Sequence, residues 1–314
     1  MKMFRYVRKG IHFVRQCIKK GSNIPAMSEI YIARNNLRKP PYCHYSMSVI
    51  ITDIFDWCDK LASDFDTVVA IPRSGMLIGS IISTYFGKPL STPDMIIEGK
   101  QWISSESSLH EINLNFYGTI LLVDDSLSSG KQMEKYAQLI QKYLPNKKII
   151  TAVLYKSKDS SYKLDRFYKE VPGKTLNHYD FSLMHQKLNL NLACDLDGIL
   201  CKDYAGQNYD DFLRNAIPHR IPIFQIDTII TARSEKHRKI TEDWLKKYNV
   251  RYKNLYMLPE NDNSDIERVI KFKVKILLKE RPDLYWESND YLAKECFERT
   301  GIKTLCLENG HLYE

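Results

Sequence analysis

The stretch ILLVDDSLSSGK at residues 120–131 limits what this chain can fold into more than any other. Ile120 to Val123 read as a buried strand. At its tip, Asp124 and Asp125 are costly neighbours, because like charges repel and burial penalises both, so the pair needs hydroxyls or a metal ion to share the site. Ser126, Leu127, Ser128, Ser129 and Gly130 follow. Mostly small, they leave the backbone able to point successive N–H groups at one phosphate, where the helix expected over GKQMEKYAQLIQKYL begins. The plain alternative is a strand-to-helix turn with a polar tip.

This string resembles the binding motif for 5-phosphoribosyl pyrophosphate (PRPP) in type I phosphoribosyltransferases. The resemblance implies that Asp124 and Asp125 take the ribose 2- and 3-hydroxyls and that Ser126 through Gly130 hold the 5-phosphate. Lys131 departs from the small residue often found at its position. Upstream, TVVAIPRSGMLIGSIIS runs a β-branched strand from Thr67 to Ile71 into Pro-Arg-Ser-Gly and a helix. It is similar to the pyrophosphate loop of the same family, in which Arg73 would supply charge while Ser74 and Gly75 let the backbone approach the leaving group. Between the two motifs, EGKQWISSESSLHEINLN is polar and weakly periodic, as expected of a loop that closes over bound PRPP or of a plain surface hairpin. Lys100 is a candidate ligand there.

After Gly173 the pattern restarts. LNLNLACDLDGILC sets an apolar strand before Asp195 and Asp197. One such carboxylate can attack phosphorus while the other handles the leaving-group proton, with magnesium neutralising acids and phosphate alike. IDTIITAR at 226–233 is a second buried strand, leading to Thr231, whose hydroxyl can bond phosphoryl oxygens. SEKHRKITEDWLKKYN reads as a helix capped by Ser234. KFKVKILL offers Lys271, Lys273 or Lys275 to balance phosphate charge, and DLYWESND is a further strand ending in acids.

In order, over residues 189–314, these segments resemble the four motifs of the haloacid dehalogenase (HAD) phosphatase superfamily. The resemblance implies Asp195 as nucleophile, Asp197 as general acid/base and Thr231 as phosphate ligand. Lys273 is the lysine preferred on its spacing to Glu287, and Glu287 with Asp290 or Asn289 would join Asp195 and Asp197 in a magnesium site. Neither the gap from Asp197 to Thr231 nor that from Thr231 to Lys273 has room for a full cap domain, which points to an open site and a bulky substrate such as a polymer end.

The expected fold class is therefore α/β in two domains, a type I phosphoribosyltransferase-like fold followed by a HAD-like Rossmannoid fold with minimal or no cap. Residues 23–172 and 189–314 form the domains, joined by a linker at 173–188. The 314 residues, 44% of them hydrophobic, suffice for two cores. Seven scattered cysteines without CxxC spacing argue for a reducing compartment and against structural zinc. No long apolar run and no signal peptide are evident, so a cytoplasmic location is expected. Of the net charge of +8, seven basic residues lie within the first twenty, which hold no acid. With Phe4, Val7, Ile11, Val14 and Ile18 at helical spacing, residues 1–22 read as a basic amphipathic helix. It can lie on the anionic inner face of a membrane or dock on its own domain; nucleic acid is not expected as a partner, because no recognition motif accompanies the charge.

A PRPP transferase makes a product with a 5-phosphate, a natural substrate for a fused phosphatase. With a nucleobase acceptor the phosphatase would discard the phosphate that makes a nucleotide useful; with a sugar hydroxyl the two steps leave a neutral ribofuranose on a glycan. The arrangement resembles the two-domain ribofuranosyltransferases of bacterial surface polysaccharide (O antigen) assembly. That implies inversion from the α donor to a β-ribofuranoside, a glycan acceptor that is lipid-linked, and Mg2+ as cofactor. Two alternatives are a nucleobase or small-metabolite transferase yielding a nucleoside-like product, and a PRPP-sensing regulator.

Overall fold

The computed structural model describes residues 41–103, 106–111, 118–206, 208–260 and 265–314. The expected basic helix at 1–22 lies outside them. The described residues divide into two units, Tyr45–Asn177 and His178–Glu314, the latter with residues 41–44, so that most of the strand Tyr42–Tyr45 and the end of the strand Leu176–Tyr179 belong with it.

The first unit is built on β-branched and aliphatic runs too apolar to face water on either side, which is the signature of a covered parallel sheet. Strand β1 (Tyr42–Tyr45) leads to helix α1 (Met47–Cys58), β2 (Thr67–Ala70), α2 (Gly75–Phe86), β3 (Leu90–Ser91) and α3 (Pro93–Ile97). Then come β4 (Lys100–Ile103), β5 (Glu106–Glu111), β6 (Thr119–Leu127), α4 (Lys131–Tyr143), β7 (Lys148–Ser157), β8 (Arg166–Val171) and β9 (Leu176–Tyr179). The main sheet runs β5-β4-β3-β2-β6-β7-β8, and β1 pairs with β9 in a separate two-stranded sheet. The segment between the two motifs is thus a hairpin, β4 pairing antiparallel with β5. Val68, Val69, Leu121, Leu122 and Val123 are completely buried. The register Val69↔Leu122 and Ala70↔Val123 brings β2 and β6 side by side, so the loop after β2 and the acids after Val123 share one sheet edge.

The second unit uses a different strand order. Its elements are β10 (Leu192–Cys194), α5 (Tyr209–Asn215), β11 (Ile226–Ser234), α6 (Arg238–Lys247), β12 (Tyr252–Leu258) and α7 (Ile266–Glu280), followed by β13 (Leu284–Glu287), α8 (Asp290–Thr300), β14 (Thr304–Cys306) and β15 (His311–Tyr313). The sheet order β12-β11-β10-β13-β14-β15 is parallel except for β15. The chain starts at the centre, moves outward to one side and then to the other, so β10 lies at the topological switch point where open α/β sheets bind ligands beyond their carboxyl ends. Between Asp197 and Thr231 the only α-helix among the described residues is the seven-residue α5. Within the stretch expected to link the units, residues 176–179 are strand β9 and 180–182 a helical turn.

Ser234 does not cap the following helix through its side chain. Arg238 instead pairs with Glu235 and Glu242 across the first turns. Among the described residues no helix is long and apolar enough to cross a membrane.

Candidate active sites

In the first unit, the two motifs meet through hydroxyls. Ser74 Oγ donates to Asp125 Oδ1 at 2.6 Å, and Ser126 Oγ donates to Asp125 Oδ2 at 2.9 Å. Asp124 Oδ1 accepts the Asp125 N–H at 2.9 Å. Both acids are buried. Burial first, then the charge and hydrogen bond of Asp125, push the Asp124 carboxyl up to about 9. Asp124 is thus held as a neutral acid, able to donate as well as accept. Gly75 sits against it: a Cβ there would lie 3.0 Å from Asp124 Oδ1. Arg73 is exposed at the mouth of the loop, and the Pro72–Arg73 peptide is cis.

The acids are not at the tip of their strand. Strand β6 continues to Leu127, because the ten-residue β7 outruns β2 and offers partners at Ser126↔Tyr155 and Leu127↔Lys156. Leu127 is 5% exposed and packs in the core with Val153 and Met133. All five residues of the expected phosphate loop, Ser126 to Gly130, line a cavity of about 150 Å3 at the start of α4 with Asp124, Gln132 and Met133. No side chain caps α4, which leaves its first N–H groups available to an anion. Lys131 and Lys100 have no side-chain place in its lining.

In the second unit, the registers Cys194↔Ile229 and Cys194↔Trp286 carry Asp195 out between Thr231 and Glu287. Lys273 is 1% exposed, and its Nζ lies 2.6 Å from Asp195 Oδ2 and 2.7 Å from Glu287 Oε2. Lys271 and Lys275 are exposed on the same helix, so Lys273 is the one of the three that meets the two acids. Tyr285 donates to Glu287 Oε2 at 2.6 Å, while the Ser288 and Asn289 N–H groups donate to Oε1. One ammonium thus serves two buried carboxylates. Burial opposes ionisation of Glu287, but Lys273 and Tyr285 hold it below the usual carboxylate range; burial pushes Asp195 well above that range, with Lys273 opposing.

Asp197 is gripped by a residue the sequence reading passed over. Arg233 Nη2 and Nε lie 2.6 and 2.9 Å from its two oxygens, and Cys201 Sγ lies 3.2 Å from Oδ1. Arg233 is 1% exposed, its Nη1 has no hydrogen-bond partner, and its guanidinium lies 5.3 Å from the centre of the Phe212 ring. Thr231 Oγ1 accepts the Arg233 N–H through a lone pair at 3.2 Å, a bond that does not use the hydroxyl proton.

Of the expected magnesium donors, Asp195 and Glu287 meet at Lys273, while Asp197 and Asp290 turn to other partners. Asp290 Oδ1 accepts from Tyr313 at 2.7 Å and from Asn309 at 2.8 Å, and Asn289 caps α8 by accepting the Leu292 N–H at 3.0 Å. Of Asp195, Asp197, Glu287 and Asp290, the first three already face fixed cations, and among the described residues no group of three or more His, Cys, Asp or Glu side chains is disposed around a metal position. The donor set as arranged does not fit an ion, and no catalytic step is assigned to one there.

Comparison with known proteins bears on the first unit. Residues 46–186 match the phosphoribosyl transferase domain family. Adenine phosphoribosyltransferase of Bacteroides thetaiotaomicron is 26% identical over 147 residues, which is 44% of this chain and 81% of that protein. Among solved structures, the xanthine-guanine-hypoxanthine phosphoribosyltransferase of Helicobacter pylori matches with 21% identity and a TM-score of 0.36, over 45% of this chain and 94% of that chain. The purine phosphoribosyltransferase of Pyrococcus horikoshii matches with 18% identity and a TM-score of 0.33, over 44% and 91%.

Proposed function

From a chain that carries a phosphoribosyltransferase domain at residues 46–186, we propose a bifunctional enzyme that moves 5-phosphoribosyl from PRPP to a glycan hydroxyl and then removes the 5-phosphate. The observation that carries the reading is the Asp195–Lys273–Glu287 constellation on the same chain as the PRPP cradle.

In the first half, PRPP enters as its magnesium complex, a substrate whose ion arrives with the pyrophosphate. The 5-phosphate takes the cavity before α4, and the ribose diol meets Asp124 and Asp125. Arg73, Ser74 and Gly75 hold the departing pyrophosphate while the C1–O bond breaks through an oxocarbenium-like state. Attack by the acceptor hydroxyl on the opposite face gives a β-ribofuranoside. In the second half, Asp195 attacks the 5-phosphate as its O–P bond breaks. Thr231, Lys273 and Arg233 face the phosphoryl charge, and Asp197, protonated at the start of the cycle, gives its proton to the leaving C5 oxygen and regains one from the water that follows. Water then cleaves the aspartyl-phosphate. The short insertion bearing α5 leaves room for a bulky substrate, which favours a polymer end in surface polysaccharide synthesis, and the basic N-terminal segment suits a lipid-linked acceptor at a membrane's inner face.

The test is incubation of the purified chain with PRPP, magnesium and a panel of oligosaccharides, read by mass spectrometry. Gain of one pentose on an oligosaccharide is expected, with little turnover of purines, pyrimidines or orotate. The likeness to an adenine phosphoribosyltransferase favours a second reading, a nucleobase acceptor with a nucleoside product. Efficient nucleoside formation with every glycan untouched establishes that reading in place of the first.

A further inference from the structure

Over the Asp197–Arg233 pair, the insertion between β10 and β11 builds a small aromatic corner. Phe212 is buried beneath it, 5.3 Å from the Arg233 guanidinium. Two tyrosines stand one ring further out: Tyr204 at 5.4 Å and Tyr209 at 6.1 Å from Phe212. They remain 45% and 39% exposed, although Phe212 beside them is 3% exposed. The insertion could have buried these rings with it; instead it holds them at the mouth of the site. We infer that Tyr204 and Tyr209 form a subsite for the sugar ring that bears the phosphoribosyl group, so that the phosphatase half selects a phosphoribosylated saccharide over a free sugar phosphate.

This inference rests on the phosphatase reading of Asp195 and its neighbours. With the phosphate at Asp195 and Arg233, the ribose spans the width of one ring above Phe212, and the next unit of the substrate reaches the tyrosines. Their geometry suits a sugar. The two rings stand at 87° to each other, 5.5 Å apart, so they offer one face and one edge rather than the parallel pair of faces that would sandwich a flat base. A pyranose needs one aromatic face for its C–H side and polar groups for its hydroxyl rim. Polar groups are adjacent: His237 lies 5.5 Å from Tyr209, ring to ring, and opens onto a groove of about 480 Å3 lined by Asp210 and Asp243 and by the basic Arg214, Lys236, Lys239 and Lys247. The Tyr209 hydroxyl also senses the site electrostatically, its ionisation opposed by burial and then by the Asp197 charge.

The experiment compares three substrates on the full chain: ribose 5-phosphate, adenosine 5′-monophosphate, and the phosphoribosyl disaccharide that accumulates when Asp195 is replaced by Asn. Changing both Tyr204→Ala and Tyr209→Ala is expected to raise KM for the phosphoribosyl disaccharide about tenfold with kcat held, a loss typical of a missing aromatic contact. Ribose 5-phosphate, which lacks the second ring, is expected to keep its KM, which also reports an intact fold, and Tyr→Phe at both positions is expected to retain the disaccharide. An unchanged disaccharide KM, or an equal rise for ribose 5-phosphate, overturns the subsite. A wild-type preference for adenosine 5′-monophosphate that the Ala changes abolish overturns the saccharide in favour of a base. If the wild type hydrolyses none of the three, the phosphatase reading falls and the subsite with it, an outcome distinct from a wild type that is active and indifferent to the tyrosines.

Discussion

Each unit places two acids at or near the carboxyl end of a buried strand, but the two pairs are compensated in opposite ways. Asp124 and Asp125 are adjacent and meet no fixed cation among the described residues: Ser74, Ser126 and a retained proton take up their charge. Asp195 and Asp197 alternate, and each faces a buried cation, Lys273 or Arg233. A site that balances its acids with hydroxyls and a proton rather than a fixed cation is prepared for a ligand rich in hydroxyls and accompanied by a cation. One lined with fixed cations is prepared for an anion. The first description fits the ribose diol of magnesium–PRPP, and the second fits a phosphomonoester. The contrast is physical: in each half, the charges already present are the complement of what the proposed substrate brings.

The largest expected effects separate the halves. Asp125→Ala removes the acceptor shared by both motifs and is expected to abolish PRPP-dependent transfer while hydrolysis of a ready-made phosphoribosyl glycan persists. Asp195→Asn is expected to do the reverse, so that the reaction stops at a product heavier by one phosphate. Mass spectrometry of both variants breaks the comparison if either loss spreads to the other activity.

A smaller effect falls on stability. Lys273→Met leaves Asp195 and Glu287 buried without their shared ammonium, and removal of one partner from such a group costs about 3–5 kcal/mol. Urea unfolding should register this as a lower midpoint for the second unit. Arg233→Met should cost less, because Asp197 is half-buried and water can reach it. Equal losses would mean that the two cations are not distinguished by burial.

The first pair gives a sign that depends on pH. Asp124 keeps its proton in the fold up to about pH 9 but loses it near pH 4 when unfolded. Between those values the folded state binds the extra proton, so its stability falls as pH rises. Asp124→Asn copies the neutral acid at every pH. It is expected to raise the melting temperature increasingly from pH 5 to 9 while impairing transfer. A constant difference across that range would show that Asp124 is ionised in the fold.

Much of this was legible beforehand, and the omissions have local causes. The three apolar runs before the acid motifs became strands inside their sheets because only a covered sheet accommodates them. The length of β6 was hidden, because it depends on β7 reaching past β2, a property of the partner strand. Arg233 was visible in IDTIITAR: it lies two residues beyond Thr231, hence on the same face of the strand. Asp290 or Asn289 is expected as a metal ligand from sequence, but an Asn before an amphipathic run is also a helix cap, and Asn289 serves as one. Which of three lysines turned inward was decided by the buried face of α7, where Lys273 lies among Val269, Ile270 and Ile276.

The finest comparison is between two glycines. Gly130 follows the first acids and Gly198 the second, both with φ of +76°. A Cβ at Gly130 would meet Tyr162 Cβ at 2.5 Å; one at Gly198 would meet Ser288 Cβ at 2.5 Å. Alanine at either position carries the left-handed backbone cost of about 1–2 kcal/mol, together with a clash that depends on the neighbour. Pairing each change with removal of that neighbour separates the two costs. Adding Ser288→Gly to Gly198→Ala is expected to recover the clash and leave the backbone term. Adding Tyr162→Ala to Gly130→Ala should recover less, because Tyr162 also packs against the core of the first unit and its loss opens a cavity. If both double variants recover equally, Tyr162 contributes nothing to the phosphate cradle beyond filling space. If only the second fails to recover, the cradle before α4 depends on that ring to keep its shape.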